Sequence, residues 1–583
     1  MLPRLLAIAT LCGAVLAGDL PPSCDRPVYC DSELLHHVQM ARIFPDSKTF
    51  VDLSMKEDED TTQDAFDKLL QETNRQPSVE QIKEFVDEYF TSTGELDDWT
   101  PPDYSENPAF LNGVVDGDLR QFGKDINSIW PTLGRKVRKE VLEKPRQYSL
   151  MPVTHGFIAP GGRFKELYYW DTYWIVEGLL ISDMVETAKG VIENLLELVK
   201  AIGHVPNGSR WYYQERSQPP LLVAMVALYY EYSRKGNKVL QFLQDNIEVL
   251  EDELNYWLDT QVVTLDKDDN TYTLLRYYTP SQGPRPESYY EDYTNAQYFN
   301  SEDEKSDFYT EIKSGAESGW DFSTRWFRSN DGNLTTIKTT KIIPVDLNAI
   351  FANALHEIAY FHAELKNPHK AATWETRAKQ WRNNIEKVLW NEDDGIWYDY
   401  DMETKMHRKD FHPSNLSPLW IKAVSEDLVA KHAPRVLQYV ERVQGTSFPG
   451  GVPASLIKSG EQWDYPNAWP PLVSMVIVAL ENSGTQEGSD RAFEIAQTWV
   501  RACHKGYVEE KAMFEKYDVE EPGKVGGGGE YHVQLGFGWT NGVVLELLQR
   551  YGQRLTAYDS TSNPEANDNV IASIRMSREE KII

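Results

Sequence analysis

The chain has 583 residues, of which 41% are hydrophobic, enough for a sizeable core. Its 59 Lys and Arg stand against 90 Asp and Glu, a formal net charge of −31. A field of that sign repels phosphate backbones and anionic bilayers, so nucleic-acid and general membrane-surface binding are not expected, whereas a neutral ligand such as a sugar is unaffected.

In chain order, Arg4 precedes an apolar stretch from Leu5 to Leu16, and Ala17 and Gly18 follow. This pattern predicts a signal peptide over residues 1–17 and a secreted product. The stretch is too short to span a bilayer, and no later one is longer. Residues 18–105 are polar and acidic. The run Glu57–Asp60 reads as a solvated face or loop, and short helical patterns lie near Ala65–Glu72 and Val79–Tyr89. This part is expected to form an N-terminal extension that wraps the main domain. Cys12 leaves with the signal peptide, Cys24 and Cys30 are spaced for a short-loop disulfide in an oxidising compartment, and Cys503 is left as a buried thiol. Sequons stand at Asn207, Asn333 and Asn415, and the polar loop around Asn333 is the best glycan candidate.

From about residue 106 the pattern becomes helical. Apolar residues from Ile175 to Val199 recur at helix spacing, and Gly203 stops the run. Similar segments follow at about 218–233, 239–262, 346–365, 369–389, 417–441, 470–483, 489–505 and 541–552. The segment opening with Pro470–Pro471 is apolar nearly all round, so it should be buried, whereas 489–505 is amphipathic and should lie outside it. Alternating inner and outer helices predict an all-α toroid of helix pairs over 106–556. A polar tail, 557–583, lacks the hydrophobic stretch of a lipid anchor. A short strand is expected at Tyr272–Tyr277.

Loops rich in Gly, Pro, Trp and charge separate the helices, at 160–173, 204–220, 280–289, 314–326, 461–471 and 512–540. Gathered at one end of the barrel they would form one deep site. His356–Glu357 lacks the second His of a metalloprotease motif, since Tyr360 stands there, and Gly526–Gly529 is neither a phosphate loop nor a dinucleotide fingerprint. Carboxylates are what remains for catalysis. Glycoside hydrolysis uses two of them, one protonated and one ionised. Asp321 sits among aromatic residues that would raise its pKa, as a general acid requires, but it would serve equally as a helix N-cap before Phe322. Glu515 reads locally as a solvated helix charge. Glu530 follows four glycines that permit close backbone approach. Local sequence does not rank Glu515 over Glu530. Arg163, Arg216 and Arg285 stand in the same loops, each able to fork onto vicinal hydroxyls or a carboxylate. The 17 Trp and 31 Tyr fit sugar stacking, although a large core accounts for them as well.

Several of these loops carry long, rare motifs. PGGRFKELYYWDTY (160–173) and QWDYPNAWPP (462–471) resemble the signatures of the trehalase family. NGSRWYYQERSQPP (207–220), GPRPESY (283–289), ESGWDFSTRW (317–326) and GGGGEYHVQLGFGWTNG (526–542) accompany them in family order across most of the chain. The resemblance implies an (α/α)6 barrel and inverting hydrolysis of α,α-trehalose to two glucoses, with no metal or other cofactor. It implies Asp321 as general acid and Glu515 as general base. It implies substrate contacts from Arg163, Trp170, Asp171, Asn207, Arg216, Ser217, Gln218, Arg285, Pro286, Glu287, Gly319 and Glu530. Ser209 creates the sequon at Asn207, where a glycan would block the site. A phosphorylase or a sugar-binding protein on the same barrel are the rival readings, and oligomeric state is left open.

Overall fold

The computed structural model describes residues 22–92, 94–233, 237–529 and 532–559. The expected signal peptide, Glu530 and nearly all of the C-terminal tail lie outside the described residues. The barrel helices, numbered in chain order, are α1 (Gly117–Asn127), α2 (Asp171–Ile181), α3 (Val185–Ile202), α4 (Leu222–Ser233), α5 (Asn237–Thr260), α6 (Val345–Glu364), α7 (Pro368–Val388), α8 (Ser417–Trp420), α9 (Glu426–Val443), α10 (Pro470–Glu481), α11 (Gln486–Glu510) and α12 (Gly538–Tyr551). The even-numbered helices α2, α4, α6, α8, α10 and α12 each pack on the next, and α12 returns to α2, so they close an inner ring. Outside it, α3 packs on α2 and α4, α5 on α4 and α6, α7 on α6, α11 on α10 and α1 on α12, while α9 follows α8 and packs on the strand Ile396–Trp397. This is the (α/α)6 barrel.

Sequence explains the layering. In α10 almost every residue from Pro470 to Leu480 is buried, because the helix has neighbours on all sides. Helix α11 buries one stripe, including Ala492, Ile495, Ala496 and Trp499. At the α2–α12 crossing two glycines face each other. A Cβ on Gly178 would lie 2.7 Å from Gly542 Cα, and one on Gly542 would lie 2.0 Å from the Trp174 carbonyl oxygen. The inner ring closes through this contact, which larger side chains would prevent.

Periodicity alone ran two elements together. The continuous pattern 174–203 is two helices, α2 and α3, separated at Asp183, whose φ is +63°. The turn buries Ser182 and Met184 and exposes only Asp183, so the polar pair Ser182–Asp183 is too short to interrupt the apolar period. The pattern 417–441 likewise divides into α8 and α9, with Lys422 at φ +55° between them. The strand expected at Tyr272–Tyr277 is Asn270–Leu275, paired antiparallel with Val262–Lys267. Helix α1 was not among the expected segments, although Asp116 caps it and Leu119, Phe122 and Ile126 recur at helix spacing, and it supplies the outer partner of α12.

Residues 24–90 bury a smaller core, in which Tyr29, Leu35, Phe50, Phe66 and Phe85 pack with Tyr168, Tyr212 and Tyr213 from the barrel loops. In the acidic run Glu57–Asp60 three residues are exposed, as expected of a solvated face, and Glu59 is buried. Asp58 caps the helix Glu59–Glu72 by accepting from the Thr61 amide at 2.8 Å, and buried Glu59 accepts from Arg146 at 2.8 Å. Cys24 and Cys30 form the expected disulfide, with Cα atoms 5.6 Å apart, and Cys503 is free and buried. Among the sequons Asn333 is exposed, whereas Asn207 and Asn415 are buried. No helix among the described residues is long and apolar enough to cross a membrane.

Candidate active site

The loop 160–173 leads into α2, so Trp170 and Asp171 stand at the N-terminal mouth of an inner helix. The Trp170 amide donates to Gln218 Oε1 at 3.1 Å. The Arg163 amide donates to Gln534 Oε1 at 2.7 Å, and its guanidinium lies 3.8 Å from Asp46. In the next loop the Asn207 amide donates to the Arg216 carbonyl at 2.9 Å, and Arg216 Nε returns a bond to Asn207 Oδ1 at 2.7 Å. Arg216 Nη2 also donates to Glu287 Oε1 at 2.7 Å. Arg285 is held by Asp292 through two bonds of 2.8 Å, with its guanidinium 5.0 Å from the centre of the Phe322 ring. Burial would raise the Glu287 carboxyl, but the charges of Arg216 and Arg285 prevail and hold it below the usual carboxylate range.

Asp321 follows the helix Glu302–Glu317. It caps no helix. Ser323 caps the short turn Thr324–Trp326 instead. Two anchors fix this loop. Buried Arg325 pairs with Asp346, at the start of α6, and with Asp399, each at 2.7 Å. Asp464 accepts from the Thr324 amide at 2.9 Å and from the Ser323, Thr324, Ser455 and Ser459 hydroxyls. The main chain of Asp321 is held as well, because Gln462 Nε2 donates to its carbonyl. Glu515 is 1% exposed and lies beyond the end of α11, so it is not a solvated helix charge. Its Oε2 accepts from the Gln534 amide at 3.3 Å, and its carbonyl accepts from Trp539 Nε1 at 3.1 Å.

These loops enclose about 870 Å³ of free space, part of it open to solvent. Arg163, Trp170, Asp171, Asn207, Arg216, Gln218, Arg285, Glu287, Gly319, Asp321 and Glu515 all line it. Ser217 and Pro286 do not. The Ser217 hydroxyl donates to the Val205 carbonyl at 2.6 Å, and the Pro286 carbonyl accepts from Gln39 Nε2 at 3.2 Å, so both support the wall from behind. Glu530 lies outside the described residues. Burial, reinforced by the charges of Glu515 and Asp321, pushes the Asp171 carboxyl up to about 8. Burial likewise lowers the Lys516 ammonium to about 8, against the pull of the same two carboxylates. The three carboxyl groups therefore share one electrostatic neighbourhood.

The cavity also contains residues that sequence reasoning did not single out. Trp463, Trp469 and Trp539 form an aromatic wall, with Trp463 and Trp469 stacked at 3.8 Å and 1°. Two of the quoted motifs contain these tryptophans, so the signal was present. Asp46, Ser47 and Lys48 line the cavity from the N-terminal segment, where nothing in the sequence marked them. Among the described residues no group of three or more His, Cys, Asp or Glu is placed to hold a metal ion.

The sequence profile described as Trehalase matches residues 42–552.

The chain belongs to the trehalase family.

It is 58% identical to the trehalase of Bombyx mori, covering 97% of this chain and 98% of that protein. It is 44% identical to the trehalase of Homo sapiens, over 92% and 91% of the two chains. Among solved structures it is similar to the neutral trehalase of Saccharomyces cerevisiae, with a TM-score of 0.55 at 22% identity over 72% of this chain and 75% of that one. That likeness concerns the fold. Within the trehalase match fall every cavity residue named above and the segment 46–48, so the N-terminal wall lies inside the family's own boundaries.

Proposed function

We propose that the chain hydrolyses α,α-trehalose to two glucoses with inversion, Asp321 acting as general acid and Glu515 as general base. One observation carries this reading. Two carboxyl groups from separate loops face one cavity that also presents three arginines and a tryptophan wall.

In this mechanism Asp321 protonates the bridging oxygen as the C–O bond breaks. Glu515 takes a proton from a water that attacks the anomeric carbon from the opposite face. The water must fit between base and sugar, so the carboxyl groups should stand roughly 6.5–9.5 Å apart. Asp171, kept protonated up to about pH 8 by burial, donates to a sugar hydroxyl. Arg216 and Glu287 offer paired donors and an acceptor to vicinal hydroxyls. Trp170 and Trp463 give flat faces for the apolar side of a pyranose.

The test is glucose release from trehalose by the purified chain, with the first product anomers followed by NMR. Inversion yields one β-glucose, from the attacked carbon, and one α-glucose from the leaving sugar. Two α-glucoses at first would overturn inversion, and a requirement for phosphate would favour phosphorolysis. Sugar binding without turnover would leave only a lectin-like role.

The disulfide Cys24–Cys30 and the exposed sequon at Asn333 support a secreted glycoprotein. Residues 18–105 act as an extension that completes the catalytic domain, in keeping with Asp46, Ser47 and Lys48 at the cavity.

A further inference from the structure

Lys48 is a buried cation on the short helix Ser47–Val51, with only 3% of its side chain exposed. Its ammonium lies 2.6 Å from Asp52 and 2.9 Å from Glu166. Glu166 is fully buried and belongs to the loop 160–173. Arg210 approaches the same carboxylate from the other side, at 3.2 Å. Burial alone would raise the Glu166 carboxyl, yet the charges of Lys48 and Arg210 outweigh it and hold the group at about 2.

Ionised Glu166 can only accept, so the Tyr168 hydroxyl donates to it. A hydroxyl has one proton. The 3.0 Å contact between the Tyr168 and Tyr213 hydroxyls must then run from Tyr213 to Tyr168. Both tyrosines line the cavity. The donors of both are consumed by this chain, which leaves Tyr213 only lone pairs to offer a ligand. The Tyr213 ring in turn lies under the Arg216 guanidinium, 4.8 Å from its centre.

We propose that Lys48 is a positioning residue of the sugar site: by neutralising Glu166 it fixes the Tyr168–Tyr213 hydroxyl chain as an acceptor wall for sugar hydroxyls and seats the ring on which Arg216 rests. A second contact shows the same segment bracing the adjoining loop of Arg285 and Glu287. Gln39 Nε2 donates both to the Ser47 carbonyl, at 2.9 Å, and to the Pro286 carbonyl, at 3.2 Å, between Arg285 and Glu287. The N-terminal segment thus ties two barrel loops together across one side of the cavity. Without the ammonium, Glu166, Asp52 and Glu95 would share Arg210 alone, and Glu166 would take up a proton. A protonated Glu166 no longer dictates the direction of the hydroxyl chain.

The inference rests on the trehalose-hydrolase reading. Steady-state kinetics on the full chain with trehalose test it, comparing the parent with Lys48→Met, Lys48→Arg and Tyr213→Phe, each checked by circular dichroism and thermal melting. The expected result is a KM at least tenfold higher in Lys48→Met with kcat within about threefold, and recovery of most of that loss in Lys48→Arg. Tyr213→Phe leaves the Lys48 ion pairs intact and should also raise KM, so it reports on the wall even where Lys48→Met does not fold. A parent that releases no glucose defeats the hydrolase reading itself. An active parent whose Lys48→Met variant keeps its KM, or whose Tyr213→Phe variant does, overturns the positioning role. Equal losses in Lys48→Met and Lys48→Arg would reduce Lys48 to a fold-stabilising charge and overturn it too.

Discussion

A Cβ placed on Gly319 would sit 2.9 Å from two carbons of the Trp170 ring, Cε2 and Cζ2. The first signature loop and the loop of Asp321 are therefore in direct contact, and only a glycine permits the approach. Gly319 also has φ +76°, where a side chain is strained.

Gly319→Ala should accordingly cost about 1–3 kcal/mol of stability, since the left-handed backbone and the close ring contact both oppose the methyl group. It should raise KM as well, because Trp170 and Asp321 move apart. Thermal melting and steady-state kinetics check this. An unchanged melting temperature would mean that the loop relaxes freely.

Asp321→Asn should lower kcat by roughly 10²–10⁴-fold, the usual worth of a general acid, while substrate binding is kept. Isothermal titration with trehalose reads the binding separately. Near-normal turnover would exclude Asp321 as the acid.

Arg216→Lys should raise KM about 10–100-fold, equivalent to roughly 1.4–2.7 kcal/mol. The guanidinium spans Asn207 Oδ1 and Glu287 Oε1, each at 2.7 Å. An ammonium keeps the charge but cannot hold both in a planar fork. If KM is unaffected, charge alone suffices at this position.

Asp171 gives the molecule a pH signature. Folded, its carboxyl keeps a proton up to about pH 8, whereas in the unfolded chain it ionises near the ordinary value of roughly 3.9. Between those values the folded state binds more protons than the unfolded one, so stability falls as pH rises through this window. The contribution is whole below the unfolded value and gone above about 8. Glu177, raised to about 8, and Glu253, raised to about 7, both chiefly by burial, act in the same direction. Asp171→Asn removes one of these groups, so its melting temperature should decline less than the parent's between pH 5 and pH 8. Parallel curves would show that Asp171 does not titrate there.

The inner and outer character of the helices was legible in the sequence because a helix with neighbours on all sides must be apolar all round, as α10 is. Chain reversals inside apolar runs were not. Asp183 and Lys422 turn the chain with a positive φ, and each is a polar residue that an exposed helix position would accept equally. For the site, long motifs pointed to Arg163, Asp171, Arg216 and Asp321 individually. Glu515 was the instructive case, a charged residue of ordinary local setting whose 1% exposure results from packing under the 532–539 loop.

By itself the sequence determined the family, the helical period and the residue types available for acid–base chemistry, because these reside in local pattern and motif. Only the tertiary structure decided which carboxylates share a cavity, that Ser217 and Pro286 stand behind its wall, and that Lys48 reaches it from the N-terminal segment. The reason is physical: burial and charge proximity set a carboxyl's protonation, and both depend on segments far apart in the chain, such as those carrying Lys48 and Glu166, or Asp171 and Glu515.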